Sequence, residues 1–268
     1  MEVSATDSAA LTGSSKSALL RRYGARVRTD GLAHDSGLRV LLATLARAAA
    51  RHERSIEPLM SIWDSHHLRV SVCVRRGVEE ANVVEDSLGW RVSSPTADEV
   101  GSSISTGLHP ETSLDSLPMH CFLPLSHPVG RSDERVSGPL WIGSIGQREA
   151  MASLTEERAL EMCGPPAAED DPVGWSGQDF GYECRRVARS VRHISQEAKV
   201  SDAAHLILVD GLSSWLGSGS PPSPRAMVDA LRGAGHSAAV AHYGKPAFRT
   251  DAPWDAIVGA STKPQPPM

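Results

Sequence analysis

The chain has 268 residues, of which 40% are apolar and only 4% are aromatic, so its core must be aliphatic and rich in alanine. This length suffices for one large domain or two ordinary ones. The four cysteines form no C-x-x-C pair, which argues against a zinc knuckle and a disulfide framework. No apolar run of roughly 18 residues occurs, so no membrane span is expected, and the first residues lack the features of a signal peptide. We therefore expect a cytoplasmic protein.

The net charge of −5 is unevenly distributed along the chain. Residues 1–76 hold 12 Lys and Arg against 7 Asp and Glu, residues 77–183 hold 5 against 19, and residues 184–268 hold 10 against 6. Two basic segments therefore flank an acidic one. Basic segments are compatible with a polyanionic partner such as a nucleic acid, but they do not prove one.

The first segment predicts a short strand at residues 2–7 and a long helix that begins near His34. Asp35 or Ser36 can cap this helix, and Pro58 prevents it from extending further. Its apolar residues recur at helical spacing and lie within one stripe. They are Leu38, Leu41, Leu42, Leu45 and Ala49.

A strand is predicted at residues 68–75, where apolar and polar side chains alternate between two faces. Its apolar face and the stripe of the preceding helix are expected to share a core. Four arginines lie on the opposite side of the helical pattern and are expected to point outward: Arg39, Arg47, Arg51 and Arg54. Such a row is usually only a solvated face, so solvent and a polyanion both remain open as its partner.

The acidic segment, residues 77–137, is rich in Ser, Thr and Pro and shows little periodicity, which is typical of a surface insertion that is partly disordered. His120, Cys121 and His127 lie close together but have no fourth ligand, so no metal site is expected. Residues 138–143 then predict a short apolar strand between glycines, and residues 147–162 predict a helix. We assign residues 138–163 to this connecting unit.

The last part of the chain follows a predicted linker at residues 164–181 and ends in a predicted disordered tail at residues 261–268. Between them, residues 182–260 predict three helices and a hairpin, which is the order of a winged-helix-like module. The helices are expected at residues 182–198, 202–215 and 224–232, and the strands at residues 238–242 and 247–249. Such modules bind nucleic acids or other proteins.

Several stretches, in an order that spans nearly the whole chain, point to a known family. They are Val3-Ser4-Ala5-Thr6-Asp7 through Arg22-Tyr23-Gly24-Ala25, His34-Asp35 through Leu41-Leu42, Ile56-Glu57-Pro58-Leu59 with the strand from Arg69-Val70, Gly138-Pro139-Leu140-Trp141-Ile142-Gly143, and Gly235, His242 and Arg249-Thr250-Asp251-Ala252-Pro253-Trp254. Through them the chain resembles the tRNA guanine-26 N2-dimethyltransferase family, with Ala33 and Asp35 standing where the family has Cys and Glu.

The resemblance implies an α/β fold: the C-terminal part of a Rossmann-like class I methyltransferase sheet in residues 1–76, and an α+β, winged-helix-like C-terminal domain that binds tRNA. It also implies S-adenosylmethionine as the cofactor of the full enzyme and tRNA, rather than DNA, as the partner. Candidate tRNA-binding residues are Arg21, Arg22, Arg39, Arg47, Arg185, Arg189, Arg192, His242 and Arg249.

The resemblance also shows what has no counterpart in this sequence. The family's cofactor-binding half and its Asp-Pro-Phe-Gly motif both precede the family's Val-Thr-Ala-Thr-Asp strand. Val3-Ser4-Ala5-Thr6-Asp7 of this chain resembles that strand. We therefore expect no catalytic residue here, apart from a weak case for Asp7, and no cofactor bound by this chain alone. The family's zinc knuckle is reduced to Cys121, so zinc is not expected.

Three alternatives follow for the whole protein: a truncated enzyme, a subunit of a two-chain methyltransferase, or a non-catalytic nucleic-acid-binding module. Because the strand at Val3 should lie beside strands that are absent, it marks an exposed sheet edge, and we expect either poor solubility of the chain alone or assembly with a partner that supplies the missing half.

Overall fold

The computed structural model describes residues 1–64, 67–104, 117–162, 177–203, 205–217 and 219–262, with only the backbone described at residues 177–180. Within these ranges the fold is mixed α/β, with three three-stranded sheets and helices that pack between and around them. No helix in these ranges is long and apolar enough to cross a membrane.

The first sheet is built around the alternating strand that the sequence predicts. It comprises β1 (Glu2–Ala5), β2 (Arg54–Asp64) and β3 (His67–Arg76) in the order β1-β3-β2, with both pairs antiparallel. The predicted apolar face is confirmed, because Leu68, Val70 and Val72 are fully buried. Strand β2 includes Pro58. A register shift between Pro58 and Met60 accommodates a residue that lacks an N–H group.

Three helices follow β1 in the chain: α1 (Ser8–Leu11), α2 (Lys16–Tyr23) and α3 (Ala33–Ala50). The apolar stripe of α3 is confirmed, since Leu38, Leu41 and Leu42 are buried against the first sheet. The predicted cap is wrong. Helix α3 begins at Ala33 after Leu32, so Asp35 lies inside the first turn and is buried. The helix also ends well before Pro58, at Ala50.

The second sheet comes largely from the acidic segment, in contrast to the predicted insertion with little regular structure. After α4 (Val78–Asn82), β4 (Leu88–Ser93), α5 (Ala97–Gly101) and β5 (His120–Pro124) follow, and β6 (Val136–Trp141) completes the sheet in the order β5-β4-β6. The periodicity is hidden because this sheet buries polar residues of β4 together with apolar ones. Residues 105–116 lie outside the described ranges.

The helix expected at residues 147–162 is divided into α6 (Arg148–Ala152) and α7 (Glu156–Met162). Helix α8 (Gly177–Glu197) confirms the long basic helix and begins five residues before the predicted start. Most of the predicted linker, residues 164–176, lies outside the described ranges.

The third sheet closes the C-terminal part. Its elements are β7 (His205–Leu208), α9 (Val209–Leu216), α10 (Pro224–Gly233), β8 (Ala238–Val240), β9 (Ala247–Thr250) and α11 (Trp254–Thr262), with strand order β7-β9-β8. Helix α10 and the β8–β9 hairpin are confirmed. The helix expected at residues 202–215 is wrong in its first half, because a short apolar run such as that of β7 fits either structure. The predicted tail lies outside the described residues from residue 263 onward.

One large core joins the three sheets. It contains the stripe of α3 and the inner faces of β3 and β6, together with Leu206, Tyr243 and Ala247 from the C-terminal part. Helix α3 lies between the first sheet and β6, so both of its sides are covered. A second core, with Leu212, Leu231 and Phe248, lies within the C-terminal part itself.

Candidate functional site

Asp35, in the first turn of α3, is the centre of a buried polar cluster that joins distant parts of the chain. Its Oδ2 accepts a hydrogen bond from Nε of Arg39 at 2.9 Å. Its Oδ1 accepts one from Nη2 of Arg249 at 2.9 Å and one from the hydroxyl of Tyr243 at 3.0 Å. All four side chains are buried. One carboxylate of α3 therefore binds β9 and the loop before it.

The charges in this cluster stabilise one another. Burial by itself would raise the pKa of Asp35, but the guanidinium groups of Arg39 and Arg249 outweigh it and hold that pKa well below its usual range. Burial likewise opposes the charge of Arg249, yet Asp35 beside it raises the pKa of this arginine. Burial and the neighbouring Asp35 also raise the pKa of Tyr243, so its hydroxyl keeps its proton and donates.

Arg39 is a structural residue, and the prediction that it contacts tRNA is wrong. Only 1% of the side chain is exposed. Beyond Asp35, its Nη1 donates to the carbonyl oxygens of Trp141 at 3.1 Å and Gly143 at 3.2 Å, and its guanidinium lies 5.0 Å from the ring centre of Phe122. Arg39 therefore fastens α3 to the second sheet, on the side of the helix that was expected to face solvent.

Arg249 and His242 are buried as well, so their predicted contact with tRNA is also wrong. Arg249 donates to the carbonyl oxygen of Ala203 at 3.3 Å and lies 3.8 Å from a carboxylate oxygen of Glu197. The same carboxylate binds Nδ1 of His242, whose Nε2 accepts the backbone N–H of Trp63 at 3.2 Å. Because Nε2 accepts, a ring proton lies on Nδ1 and faces Glu197.

Aromatic rings surround this cluster at the junction between β2 and the C-terminal part. The imidazole of His34 stacks on Trp63 with ring centres 3.6 Å apart, and Trp63 lies 5.5 Å from the ring of Tyr243. The family-like residues His34, Asp35, His242 and Arg249 thus meet in space, although more than 200 residues separate the first from the last. Their pattern in the sequence therefore marks a junction between parts of the fold.

A second buried arginine, Arg91 of β4, was not singled out by the sequence. Its two terminal nitrogens bind the two carboxylate oxygens of Asp30 at 3.0 and 3.2 Å, and they also bind the hydroxyls of Ser93 and Ser137. Arg91 is 1% exposed. An Asp ahead of a helix and an isolated Arg within a polar segment give no periodic signal, so only the fold reveals this pair.

Two buried histidines lie close to this pair. Burial, with the charges of Arg249 and Arg39, lowers the pKa of His205 to about 4. Burial, His205 and Arg91 lower that of His120 well below its usual value. Both rings are therefore neutral near pH 7. Within the described part of the chain, no group of three or more His, Cys, Asp or Glu is arranged to hold a metal ion.

A cleft of about 570 Å³ opens beside these residues, between the second sheet and the C-terminal part. Its walls are mainly apolar, with Leu32, Met119 and Pro246, and its polar groups include Asp210 and Lys245. Its wall also includes the buried Arg91, which Asp30 already neutralises.

The arginines of α8 form the exposed basic face of the molecule. Arg185, Arg189 and Arg192 lie at i, i+4 and i+7 along the helix and are all exposed. Arg192 is held by Glu156 of α7 through hydrogen bonds of 2.7 and 2.8 Å. Among the residues that the structure describes, Arg185 and Arg189 form no ion pair, so their charges face solvent.

Three further candidates lie away from α8. Arg21 and Arg22 are exposed near the end of α2, where Arg22 pairs with Asp7. Arg47 of α3 is paired with Glu85 through hydrogen bonds of 3.0 and 3.1 Å. These positions lie on α2 and α3 rather than on α8, and their contact with tRNA stays a prediction.

Comparison with known proteins gives a consistent result. A family model described as N2,N2-dimethylguanosine tRNA methyltransferase matches residues 1–261. The tRNA (guanine(26)-N(2))-dimethyltransferase of Aeropyrum pernix is 28% identical over 266 residues, which cover 97% of this chain and 56% of the relative. The enzyme of that name from Thermoplasma volcanium is 38% identical over 206 residues, which cover 76% of this chain and 57% of the relative.

The solved structure of Trm1 from Pyrococcus horikoshii, in complex with S-adenosyl-L-methionine, shares the fold. It superposes with a TM-score of 0.71 at 19% identity and covers 98% of this chain and 58% of that protein. The chain thus spans somewhat more than half the length of the relatives that it matches. Since the family model covers nearly every residue, the chain belongs to the N2,N2-dimethylguanosine tRNA methyltransferase family.

Proposed function

We propose that this chain takes part in the S-adenosylmethionine-dependent N2-dimethylation of guanine 26 in tRNA, and that its own contribution is to hold the tRNA. Family membership supports the reaction. The observation that carries the binding role is the exposed arginine face of α8, where Arg185 and Arg189 are not neutralised within the described residues. Exposed arginines can bind phosphates in a fork geometry.

The order of elements supports a winged-helix-like C-terminal domain. Helix α8 is followed by β7, by the helix pair α9 and α10, and then by the β8–β9 hairpin, with β9 between β7 and β8 in the sheet. A helix pair followed by a hairpin is a common scaffold for nucleic-acid binding. In related helix-turn-helix modules the second helix of the pair contacts the nucleic acid. Helix α10 of this chain takes that place in the order.

We assign the first sheet to the end of a methyltransferase sheet, and the strand directions in the described residues bear on the cofactor. In the described residues every strand pair is antiparallel. A Rossmann-like cofactor site needs parallel strands and a glycine-rich turn that opens a helix. The described residues therefore do not fit S-adenosylmethionine, and we assign none of them to the cofactor.

The chemistry of the reaction sets a further requirement. The exocyclic amine of guanine is a weak nucleophile because its lone pair is delocalised into the ring, so the amine must be positioned and must lose a proton to a base. The sequence offers Asp7, which follows the end of β1, as a candidate for this base. Its carboxylate is already paired with Arg22. We propose that the base is not among the described residues and that this chain acts by positioning tRNA.

Binding of the chain to a tRNA transcript, measured over a series of salt concentrations, tests this role. Phosphate contacts release counterions, so the logarithm of the binding constant is expected to fall linearly with the logarithm of salt concentration, by roughly 0.7 to 0.9 per contact. Binding that is independent of salt would remove the proposal. Calorimetry with S-adenosylmethionine and this chain is expected to show no heat of binding, and a saturable signal would refute the cofactor assignment.

The alternative of a two-chain enzyme has less support. Relatives that cover 97% or 76% of this chain are themselves considerably longer single polypeptides. A non-catalytic nucleic-acid-binding module would share the arginine face of α8 and the salt dependence. Fusion of this chain to the first half of a relative separates the two functions. The fusion is expected to methylate a tRNA transcript only if this chain is part of the enzyme.

A further inference from the structure

A groove of about 460 Å³ lies on a face of the molecule formed by α2, the segment after it, β4 and the loop between β5 and β6. All of its lining residues are described. They include the exposed Leu20, the half-buried Trp90 and Pro139, and the arginines Arg26 and Arg131. A volume of this size lies within the ~300–1,000 Å³ range of sites for small molecules.

The floor of the groove is held rigidly by backbone and side-chain contacts. The backbones of Arg26 and Gly138 exchange two hydrogen bonds, of 2.9 and 2.7 Å. The indole nitrogen of Trp90 donates to the carbonyl oxygen of Leu125 at 3.2 Å, which fixes the plane of the ring. A side chain at Gly138 would lie 2.9 Å from the Trp90 ring, so glycine lets the backbone of β6 rest directly against the indole.

The groove presents flat surfaces for stacking next to positive charge. The guanidinium of Arg26 lies over the Trp90 ring, 5.7 Å from its centre, and also donates to the carbonyl oxygen of Arg131. Leu20, 65% exposed, extends the apolar wall. Unpaired bases of RNA stack on arginine planes, aromatic rings and apolar side chains, whereas paired bases within a helix do not expose their faces.

The surrounding charges favour an anion. Arg131 and Arg21 are exposed, whereas the neighbouring Arg22 is paired with Asp7. Two acidic residues lie nearby: Asp133 is bound at 2.7 Å by Arg135, which also binds Glu99, and the exposed Glu134 lies 4.0 Å from Lys16. A positive rim with a stacking floor is the combination found in grooves that bind single-stranded nucleic acids.

We propose that this groove binds an unpaired nucleotide of tRNA, with the base against Leu20 and the Arg26–Trp90 pair and the phosphate near Arg131. The inference rests on the proposed tRNA-binding function and adds a second contact, away from α8. It explains why an apolar side chain as exposed as Leu20 precedes the two arginines of α2. It also gives α2 a role in orienting the tRNA beside the end of β1, where Arg22 binds Asp7.

Two surface substitutions, Leu20→Asp and Arg131→Glu, test the groove without disturbing the core, because both side chains are exposed. The matched controls are Val78→Asp, whose side chain is 47% exposed on α4, and Arg76→Glu at the end of β3. The probes are a labelled short oligouridylate and a tRNA transcript. We expect the combined groove variant to bind the oligouridylate about tenfold more weakly, and the combined control to bind as the unchanged chain does.

Crosslinking provides a direct readout of position. A tRNA transcript with 4-thiouridine at its unpaired positions is irradiated with the chain, and the crosslinked peptides are sequenced. We expect crosslinks in the segments that contain Trp90 and Arg131, and their loss in the groove variant. Unaltered binding of the oligouridylate by the groove variant, or crosslinks confined to α8 and α10, would overturn the groove alone while tRNA binding stands. If the unchanged chain binds neither probe, the proposed tRNA-binding function fails as well.

Discussion

The arginines of this protein fall into two sets that differ in surroundings rather than in chemistry. Arg39, Arg91 and Arg249 are at most 1% exposed, whereas Arg185 and Arg189 lie in solvent on α8. Each buried arginine meets a carboxylate that comes from a helix start or a loop, and it also donates to carbonyl or hydroxyl oxygens. The two unpaired arginines of α8 have no such partner among the described residues and keep their charge available for a ligand.

The strongest way to break this comparison is to remove Asp35, the carboxylate that Arg39 and Arg249 share. In Asp35→Ala, Arg39 and Arg249 would remain buried without their main counter-charge. We expect the free energy of unfolding to fall by roughly 3–5 kcal/mol, the usual effect of breaking a buried ion pair from one side. Denaturant unfolding followed by circular dichroism measures this loss.

The matched control for that variant is Asp255→Ala, because Asp255 is exposed near the start of α11. We expect it to change the free energy of unfolding by less than about 0.5 kcal/mol. Equal losses in the two variants would mean that the Asp35 cluster contributes no more than an ordinary surface residue.

The buried set also predicts a pH dependence. The pKa of His205 is lowered to about 4, so between pH ~6.5 and ~4 the unfolded chain binds a proton that the folded chain does not. Stability therefore falls as the pH falls through this window. We expect His205 alone to account for a loss of about 2 kcal/mol between about pH 7.5 and pH 5.

Replacement of the histidine separates this contribution from others. In His205→Gln the slope of stability against pH is expected to become shallower, while part of it remains because the pKa of His120 is also lowered. His52→Gln changes an exposed histidine and serves as the control. Urea unfolding at several pH values gives the slopes, and identical slopes in all three proteins would contradict the assignment.

For the exposed set, the expected effect lies in binding rather than in stability. In Arg185→Ala combined with Arg189→Ala, we expect weaker tRNA binding and a salt slope that is smaller by roughly 0.7 to 0.9 per arginine. The thermal midpoint should stay unchanged, since both side chains are in solvent. Arg76→Ala is the matched control, and an equal effect of that control would show that binding is not located on α8.

The smallest expected effect comes from Arg192, which is exposed like its neighbours but is paired. Glu156→Gln removes the carboxylate that holds it at 2.7 and 2.8 Å and so releases its charge. A slightly tighter binding of tRNA is expected, about two- to fivefold, with a steeper salt dependence. Fluorescence titration measures the change, and weaker binding would mean that the pair itself positions the arginine.

The elements that the sequence predicted well are those whose burial follows a single period. The alternation of β3 and the apolar stripe of α3 each depend on one buried face. The position of a residue in the sequence therefore determines whether its side chain points to that face. The direction of Arg39 could not be predicted in this way, because the far side of α3 is covered by the second sheet. A helical wheel describes a helix in isolation and contains no information about a second layer.

The second sheet is another case in which the sequence alone does not show which side chains are buried. Strand β4 buries Arg91 and Ser93 together with Val92, because Asp30 reaches them from a distant loop. A buried charge is stable only when its partner is present, and that partner is separated from it by about sixty residues. The exposure of the arginines on α8, in contrast, depends on the helix alone.

The bond between Asp35 and Arg249 spans 214 residues of the chain and has a consequence for how the molecule opens. If β9 separated from the rest of the fold, Asp35 would lose the donors Arg249 and Tyr243 together. Because Asp35 would then be a buried carboxylate without these donors, we expect the beginning of α3 to open together with β9. The backbone amides at the start of α3 and those of β9 should thus exchange with solvent deuterium at one common free energy, as a single cooperative unit built from both ends of the sequence.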